Sequence, residues 1–291
     1  MRAQVVTVVE RGGRYLELAT TLVQRMRLAS PEGGIWEAAD VQWWYRREQA
    51  DRAGQLFWLD EHGEPQAAFI ATDFGHSVQC DVLVLPADSG YEREMWRAAI
   101  GRVDDVGVRA EFTVRLDNAV AIAELGAAGY GRVGDEEIVS CWLEADSRPR
   151  LPPLAPGYHV LSRADAADRP HPMIARNGRD VARRLRECSL YRPELDLAVE
   201  APDGDVAGYG LFWADPVTRV GLVEPIRTEA AHQGRGLASH LVATGLDRLA
   251  AQGCERLKVS SDRDLYRRAG FRPQRGATAA VYSRSGTTGH G

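Results

Sequence analysis

Two glycines, Gly234 and Gly236, lie immediately before a segment whose apolar residues have helical spacing. The first backbone N–H groups of a helix have no acceptor inside the helix, and the helix dipole gives them partial positive charge. Glycine has no side chain to hold an anion away from those groups, so the turn predicts a phosphate or pyrophosphate site. Arg235 could add a charge at its rim. A tight connection between a strand and a helix explains a Gly-x-Gly pair equally well.

The wider pattern excludes the common nucleotide-binding motifs. A P-loop would continue with Lys and Ser or Thr after the second glycine, and a dinucleotide fingerprint would have a third glycine at position 239, which is Ser. The helix that follows is predicted from its apolar stripe, and Gly253 stands just past its expected end. The stripe comprises Leu237, Leu241, Val242, Leu246 and Leu249.

The residues Gln233-x-x-Gly236-x-Ala238 resemble the Gln/Arg-x-x-Gly-x-Gly/Ala signature of the GNAT acyltransferase superfamily. Downstream, the heptapeptide 265–271, Leu-Tyr-Arg-Arg-Ala-Gly-Phe, is similar to that family's Leu-Tyr-x-x-x-Gly-Phe, and it lies at a fitting distance. The resemblance covers about residues 157–284, and it extends to the first half only as a matched order of elements. As a whole, the chain resembles tandem-GNAT proteins.

The resemblance implies that acetyl-CoA, or another acyl-CoA, is the co-substrate. In the family, the strand before the turn separates from its neighbour, and its exposed backbone pairs with the pantetheine arm as an added strand would. The turn then holds the pyrophosphate, and a backbone N–H near Ile226 polarises the acyl carbonyl. The cofactor-binding residues implied here are Ile226, Arg227, Thr228, Gln233, Gly234, Arg235, Gly236, Leu237 and Ala238.

The implied chemistry is direct acyl transfer to a primary amine, which needs a base for the amine proton and an acid for the leaving thiolate. Tyr266 matches the tyrosine that serves as the acid in the family; the alternative is that it only packs. Glu224 lies on the cofactor strand, where several members place a glutamate, and it is the candidate base. Pro225 suggests a local bulge that could re-aim this carboxylate. A structural glutamate, with a water chain as the base, is the alternative.

The segment before the tyrosine departs from the family pattern. Members often carry an Asn there that contacts the pantetheine, and residues 259–264 contain none. Ser260 or Asp262 could substitute for it. We expect a small-molecule amine as the acceptor. The rival hypothesis, from another functional class, is a non-catalytic acyl-CoA-binding or interaction protein of the same fold.

These residues must be positioned by the second of two similar halves. Each half is predicted to contain, in order, helices, an antiparallel hairpin, a further strand, a helix, a strand, a short helix and a closing strand. The repeated order predicts an α+β fold of two tandem GNAT-like domains, each a mixed, mostly antiparallel sheet flanked by helices. The predicted segments are domain 1–146 with closing strand 137–143, Pro-rich linker 147–156, domain 157–284 with closing strand 278–283, and disordered tail 285–291.

The first half has no comparable cradle. After its corresponding strand, the segment 84–93 contains one glycine together with acidic residues, which would repel a phosphate. We therefore expect a degenerate copy without a cofactor, which supports the other half or helps to shape a substrate cleft.

Two residue clusters give weaker signals. An aromatic group is expected to pack in a core, with a substrate-lining wall as the alternative; it comprises Trp36, Trp43, Trp44, Tyr45 and Trp58. A basic helix in the second half is expected to be a solvated face, with binding of the CoA 3′-phosphate or of an acidic substrate as the alternative. It comprises Arg176, Arg179, Arg183, Arg184 and Arg186.

Composition and charge limit the function further. The chain has 291 residues and a net charge of −5, which argues against nucleic acid as a partner because phosphate backbones require a concentrated basic surface. The four cysteines are far apart and the seven histidines show no ligand spacing, so we predict no metal. No uncharged apolar stretch approaches the roughly 18 residues that span a membrane. We expect a cytoplasmic monomer or homodimer that does not use a membrane.

Overall fold

The computed structural model describes residues 5–47, 54–86, 91–106 and 109–284. The chain divides into two compact units, of which the first comprises Met1–Ile138 with Arg275–Gly291 and the second comprises Val139–Gln274. In each unit, helices pack against a sheet in which one described strand pair is parallel and the others are antiparallel. The predicted α+β class with a mostly antiparallel sheet is therefore confirmed.

The elements follow the predicted repeated order. In chain order they are β1 (Val6–Glu10), α1 (Gly12–Ala29), α2 (Ala38–Trp44), β2 (Gln55–Leu59), β3 (Pro65–Asp73), β4 (Val78–Val84), α3 (Glu92–Val106), β5 (Ala110–Arg115), α4 (Ala119–Ala127), β6 (Tyr130–Arg132), β7 (Ile138–Glu144), β8 (His159–Ser162), α5 (Ile174–Asn177), α6 (Val181–Glu187), β9 (Asp196–Glu200), β10 (Val206–Ala214), β11 (Val220–Thr228), α7 (Leu237–Ala251), β12 (Arg256–Val259), α8 (Asp264–Arg268) and β13 (Arg272–Arg284).

The sheet of the first unit has the order β1-β2-β3-β4-β5-β13, with β6 also paired to β13, and β4–β5 is its parallel pair. Its core includes the stacked rings of Phe69 and Phe112, with Trp96 of α3 against Phe112. Four of the five clustered aromatic residues are buried, which agrees with core packing. Trp36 is half-buried and lines a cavity instead.

The sheet of the second unit has the order β7-β12-β11-β10-β9-β8, and β11–β12 is its parallel pair. Helix α7 covers it with the predicted apolar stripe, all of which is buried. Gly245 lets the helix approach closely, because a Cβ atom at this position would lie 2.1 Å from the ring of Phe212 on β10.

The closing strands do not pair within their own halves. Strand β7 pairs with β12 of the second half, and β13 pairs with β5 of the first half over Ala279–Arg115 to Ser283–Glu111. The compact units therefore do not follow the predicted boundaries at 146 and 157. The apolar alternation of a strand identifies the strand but carries no information about which sheet edge it joins.

Three short strands, β1, β6 and β8, and a helix break were not predicted. Strands β1 and β8 precede the first helices of their halves and pair antiparallel with β2 and β9, respectively. The basic helix predicted in the second half is split into α5 and α6. Gly178, with φ of +90°, lies between them in a conformation that ends a helix.

The predicted linker is attached to α7 in the second unit. The Nε atom of Arg148 donates to the Asp247 carboxylate at 2.6 Å, and Nδ1 of His240 lies 2.6 Å from the carbonyl oxygen of Pro152. Leu154 also packs against the core. This segment is thus part of the packed unit, and the predicted tail 285–291 lies outside the described residues.

The remaining structural findings concern cysteines, metals and membranes. All four cysteines are buried as free thiols, and burial raises the pKa of Cys141 to about 11. Within the described ranges, no group of three or more His, Cys, Asp or Glu side chains is placed to hold a metal ion. None of the helices in these ranges combines the length and apolar character that crossing a bilayer requires.

Candidate functional site

The sheet of the second unit opens between its two parallel strands. The β11–β12 ladder ends at the pair Leu222–Lys258, but β11 continues to Thr228. On its other side, β11 stays paired with β10 over the same stretch. Beyond Leu222, the edge of β11 toward β12 therefore has no strand partner among the described residues. An extended ligand can add to such an edge through main-chain hydrogen bonds.

A bulge interrupts β11 at Glu224 and Pro225, where the sequence predicted one. In the register with β10, these two residues lie opposite the single residue Leu211, and the peptide bond between them is cis. A bulge removes backbone groups from the ladder. The indole Nε1 of buried Trp213 donates to the Glu224 carbonyl oxygen at 2.9 Å and satisfies it. This indole therefore fixes the strand at the residue that carries the candidate base.

The glycine-rich turn is open and exposed. Gly234 and Gly236 have φ of +76° and +75°, in the left-handed region that other residues rarely adopt, and α7 begins directly after them at Leu237. A Cβ atom at either glycine would meet nothing within 4 Å. The space in front of the helix terminus is therefore free. Gln233 closes the turn by donating to the Thr228 carbonyl oxygen at 3.2 Å.

A cavity of about 360 Å³ joins the end of β11 to this turn. Its wall includes eight of the nine predicted cofactor-binding residues, which are Ile226, Arg227, Thr228, Gln233, Gly234, Gly236, Leu237 and Ala238. The ninth, Arg235, is exposed and does not line it. His232, Ser239 and Leu265 complete the wall. The fold thus brings predicted cofactor-binding residues from two separate stretches of the sequence to one cavity.

Tyr266 lies on the short helix α8, directly after Leu265 of the cavity wall. Tyr266 is 8% exposed, and its ring meets the ring of Phe271 edge-on, with the two centroids 6.1 Å apart. Burial, together with the negative charge of Glu224, raises the pKa of the phenol to about 12, and the positive charge of Arg263 acts in the opposite direction. The phenol therefore stays protonated at neutral pH, as a proton donor must. The alternative role of Tyr266, packing in the core, also agrees with its burial. A tyrosine can bury its ring and still use its hydroxyl group.

Glu224 and Tyr266 are brought into electrostatic contact. They come from β11 and α8, and the carboxylate acts on the pKa of the phenol. Glu224 is half-buried, on the bulge that turns the strand. A neutral phenol beside a carboxylate is a pair that can divide the acid and base roles between them.

Two buried hydroxyls flank the opening between the strands. Thr228 Oγ1 at the end of β11 and Ser260 Oγ just after β12 are buried and have no hydrogen-bond partner among the described residues. Buried polar atoms without partners are rare, and a bound molecule is one explanation for them. Asp262, the other candidate to replace the missing Asn, is exposed and is bound by Arg267 at 2.7 Å. Ser260 is therefore the better placed of the two.

Polar contacts hold Glu229 and His232, which directly precede the glycine-rich turn. Arg176 binds both carboxylate oxygens of Glu229 at 2.8 and 2.9 Å, and this lowers the pKa of that carboxyl. Tyr158 OH lies 3.0 Å from Nδ1 of His232. Neither pair was predicted, because both join residues more than 50 positions apart. Within the basic helix region, Arg176 and Arg183 are thus engaged by carboxylates of the protein.

The contribution of Trp213 to the site was not predicted from the sequence. It is fully buried and lies in an apolar strand, where its pattern predicts core packing only. Its role at Glu224 depends on a carbonyl that the bulge releases. No sequence signal marks that bond in advance.

Comparisons with known proteins agree with this geometry. Residues 163–271 match the model of the "Acetyltransferase (GNAT) family". A mycothiol acetyltransferase from Clavibacter michiganensis subsp. michiganensis (strain NCPPB 382) is 27% identical over 233 residues, which cover 72% of this chain and 74% of that protein. The match reaches well beyond the segment that the family model covers.

Two solved structures share the fold over nearly the whole chain. A GCN5-related N-acetyltransferase from Sphaerobacter thermophilus has a TM-score of 0.61 at 16% identity, covering 96% of this chain and 95% of its own. A tandem GNAT protein from the clavulanic acid biosynthesis pathway has a TM-score of 0.62 at 17% identity, with coverage of 96% and 98%. The chain therefore has the tandem GNAT fold, and its segment 163–271 is similar to the GNAT acetyltransferase family.

Proposed function

We propose that the second unit transfers an acyl group, most simply acetyl from acetyl-CoA, to a primary amine of a small molecule. The observation that carries the proposal is the opening between β11 and β12, which leads along one cavity to an open glycine turn at a helix terminus. The free edge of β11 can pair with an extended arm, and the N–H groups of the glycine turn can bind a pyrophosphate. A coenzyme A molecule carries both of these parts.

The residues present fit this co-substrate. The left-handed backbone at Gly234 and Gly236 leaves the helix N–H groups uncovered, and the free edge of β11 extends to Thr228. The unpartnered hydroxyls of Thr228 and Ser260 supply further polar atoms beside that edge. Arg235 is exposed next to the turn and can approach a phosphate from solvent.

Each catalytic role is assigned to one side chain. Glu224 takes a proton from the acceptor's ammonium group, directly or through water, and the resulting neutral amine attacks the thioester carbon. Tyr266, held neutral by its raised pKa, donates a proton to the departing thiolate sulfur. Trp213 holds the bulge that presents the carboxylate, so it is a positioning residue. Acyl transfer is direct, and no residue of the chain is acylated.

The experiment combines binding with turnover. Calorimetry with acetyl-CoA measures binding to the full chain. Release of free thiol with a panel of small amines measures transfer, and the acceptor of the mycothiol acetyltransferase relative belongs in that panel. Thiol release that requires an amine, and formation of the corresponding N-acetyl product, support the proposal. Tight binding without transfer to any amine of the panel would instead support the non-catalytic binding protein.

A further inference from the structure

The first unit contains a second opening between parallel strands. Its β4–β5 ladder ends at the pair Cys80–Phe112, although β4 continues to Val84 and β5 to Arg115. A cavity of about 350 Å³ lies at this opening, and its wall is formed by β4, β5, α1, α3 and the loop after α1. Its volume is within the range of about 300–1,000 Å³ that small-molecule pockets span.

A buried carboxyl group lines this cavity. Asp81 is 1% exposed and accepts hydrogen bonds from Trp36 Nε1 at 2.7 Å and from Gln79 Nε2 at 2.8 Å. Burial raises its pKa to about 7. Buried carboxylates are ordinarily paired with a cation, and no ion pair of Asp81 occurs among the residues that the structure describes. The two neutral donors therefore leave the ionised form of Asp81 without a compensating positive charge.

A buried donor lines the same cavity. Trp96 is 2% exposed, and its indole Nε1 has no hydrogen-bond partner among the described residues. The rest of the ring packs against Phe112 in the core. A buried N–H group without an acceptor is unfavourable, and a ligand oxygen would satisfy it. This observation is independent of the carboxyl group.

The other charged groups around the cavity already have partners in the protein. The pairs are Arg27 with Glu37, Arg115 with Asp117, and Glu92 with Asn118. Asp40 of α2 accepts from the Glu37 N–H, and its negative charge adds to that around Asp81. These residues are engaged with one another, so a positively charged ligand is the more readily available partner for the Asp81 carboxylate.

The geometry points to a small amine as the ligand of the first unit. We propose that the cavity binds an amine with an apolar body, whose ammonium group pairs with Asp81 and whose oxygen accepts from the Trp96 indole N–H. The apolar body suits a wall that includes Val23, Met26, Ile35 and Leu83. This site is separate from the acyl-transfer site proposed in the second unit, so each can be tested without the other.

Three related probes test the proposal on the full chain. Phenylethanolamine carries the ammonium, the oxygen and the apolar body; phenethylamine lacks the oxygen; phenylethylene glycol lacks the charge. Binding is followed through the indole N–H resonances of Trp36 and Trp96, which are assigned from the Trp36→Phe and Trp96→Phe variants. We expect phenylethanolamine to shift both resonances at millimolar concentration and to bind about tenfold or more tightly than the glycol, because hydrogen bonds to charged groups are the stronger ones.

Two variants separate the proposed contacts. Asp81→Asn should weaken binding of both amines by about tenfold or more, whereas Glu61→Gln on an exposed turn should change nothing. Trp96→Phe removes an N–H group that bonds to no described residue and keeps an aromatic ring against Phe112, and the Trp36 resonance reports whether the chain stays folded. It should weaken binding of phenylethanolamine and leave phenethylamine unaffected. The comparison of the two amines in Trp96→Phe tests the proposal even if Asp81→Asn fails to fold.

Three results would overturn the proposal. The first is that neither indole resonance moves with phenylethanolamine. The second is that the neutral glycol binds as well as the amine. The third is that coenzyme A, and not the amine, shifts the Trp96 resonance, which would make the opening in the first unit a second cofactor site.

Discussion

At the scale of single residues, the hydroxyl of Tyr266 is expected to act as a proton donor. Tyr266→Phe keeps the buried ring and removes only the hydroxyl, so acetyl-CoA binding should be retained while kcat falls by about 10²–10⁴-fold. Thiol release and calorimetry on the same preparation measure the two quantities. Tyr282→Phe, at another buried tyrosine, is the matched control. Unchanged turnover in Tyr266→Phe would remove this residue from the mechanism.

The raised pKa of Tyr266 also predicts a pH dependence. An ordinary tyrosine ionises near pH 10, but burial and the charge of Glu224 raise the pKa of this phenol to about 12. The acid form should therefore persist as pH rises from about 8 to about 10. We expect no tyrosinate absorbance from this residue in that range when the chain is compared with Tyr266→Phe. Tyrosinate that appears in this comparison near pH 10 would contradict the structure.

Glu224 is expected to govern proton removal from the acceptor. Glu224→Gln preserves the size of the side chain and the backbone bulge, so binding of acetyl-CoA should survive. We expect kcat to fall by about 10²–10⁴-fold, with partial recovery at higher pH, where more of the amine is already deprotonated. Glu255→Gln, at an exposed glutamate of the same unit, provides the comparison. If the rate and its pH profile are unaffected, a water chain or another group is the base.

At the scale of elements, the turn before α7 determines whether the co-substrate binds. Gly236→Asp places a side chain at a left-handed backbone position, and it adds a negative charge where the pyrophosphate is expected. Acetyl-CoA binding should be lost in calorimetry. Gly253→Asp has a similar backbone, with φ of +84°, but lies beyond the other end of the helix. Loss of binding in both variants would indicate general destabilisation and not loss of an anion site.

The close approach of α7 to its sheet gives a stability prediction. In Gly245→Ala the new Cβ atom would lie 2.1 Å from the fully buried ring of Phe212, so the helix or the ring must move. We expect the free energy of unfolding to fall by about 1–3 kcal/mol, as measured by denaturant unfolding. Gly101→Ala in α3 meets nothing within 4 Å and should instead gain up to about 1 kcal/mol.

At the scale of the whole molecule, the exchanged closing strands decide which fragments can fold. A fragment cut at the predicted boundary, 157–284, lacks β7 and leaves the edge of β12 uncovered. The fragment 139–274 contains all of the second unit, including the segment that anchors on Asp247 and His240. We expect dispersed amide resonances and acetyl-CoA binding from fragment 139–274, and neither from fragment 157–284. A well-folded 157–284 would show that β7 is dispensable.

The sequence predicted the local features of single elements well, but it did not predict which strands and side chains pair with one another. The turn, the stripe of α7 and the bulge at Pro225 are encoded by residues within one short stretch, so their patterns were sufficient. The partners of β7 and β13, the Arg176–Glu229 pair and the Trp213 bond to Glu224 depend on residues that are distant in the chain. Alternation and helical periodicity describe one element at a time. They contain no information about such pairings.

Synthesis on the ribosome completes the second unit before the first. Residues 139–274 are contiguous, whereas the first unit also needs the residues from Arg275 onward, which emerge later. Until β13 leaves the exit tunnel, the nascent N-terminal half must wait with the edge of β5 uncovered, and exposed edges of this kind invite wrong pairing. During that interval, residues 110–115 are the stretch where a chaperone would be most useful and where a translational pause would do most harm.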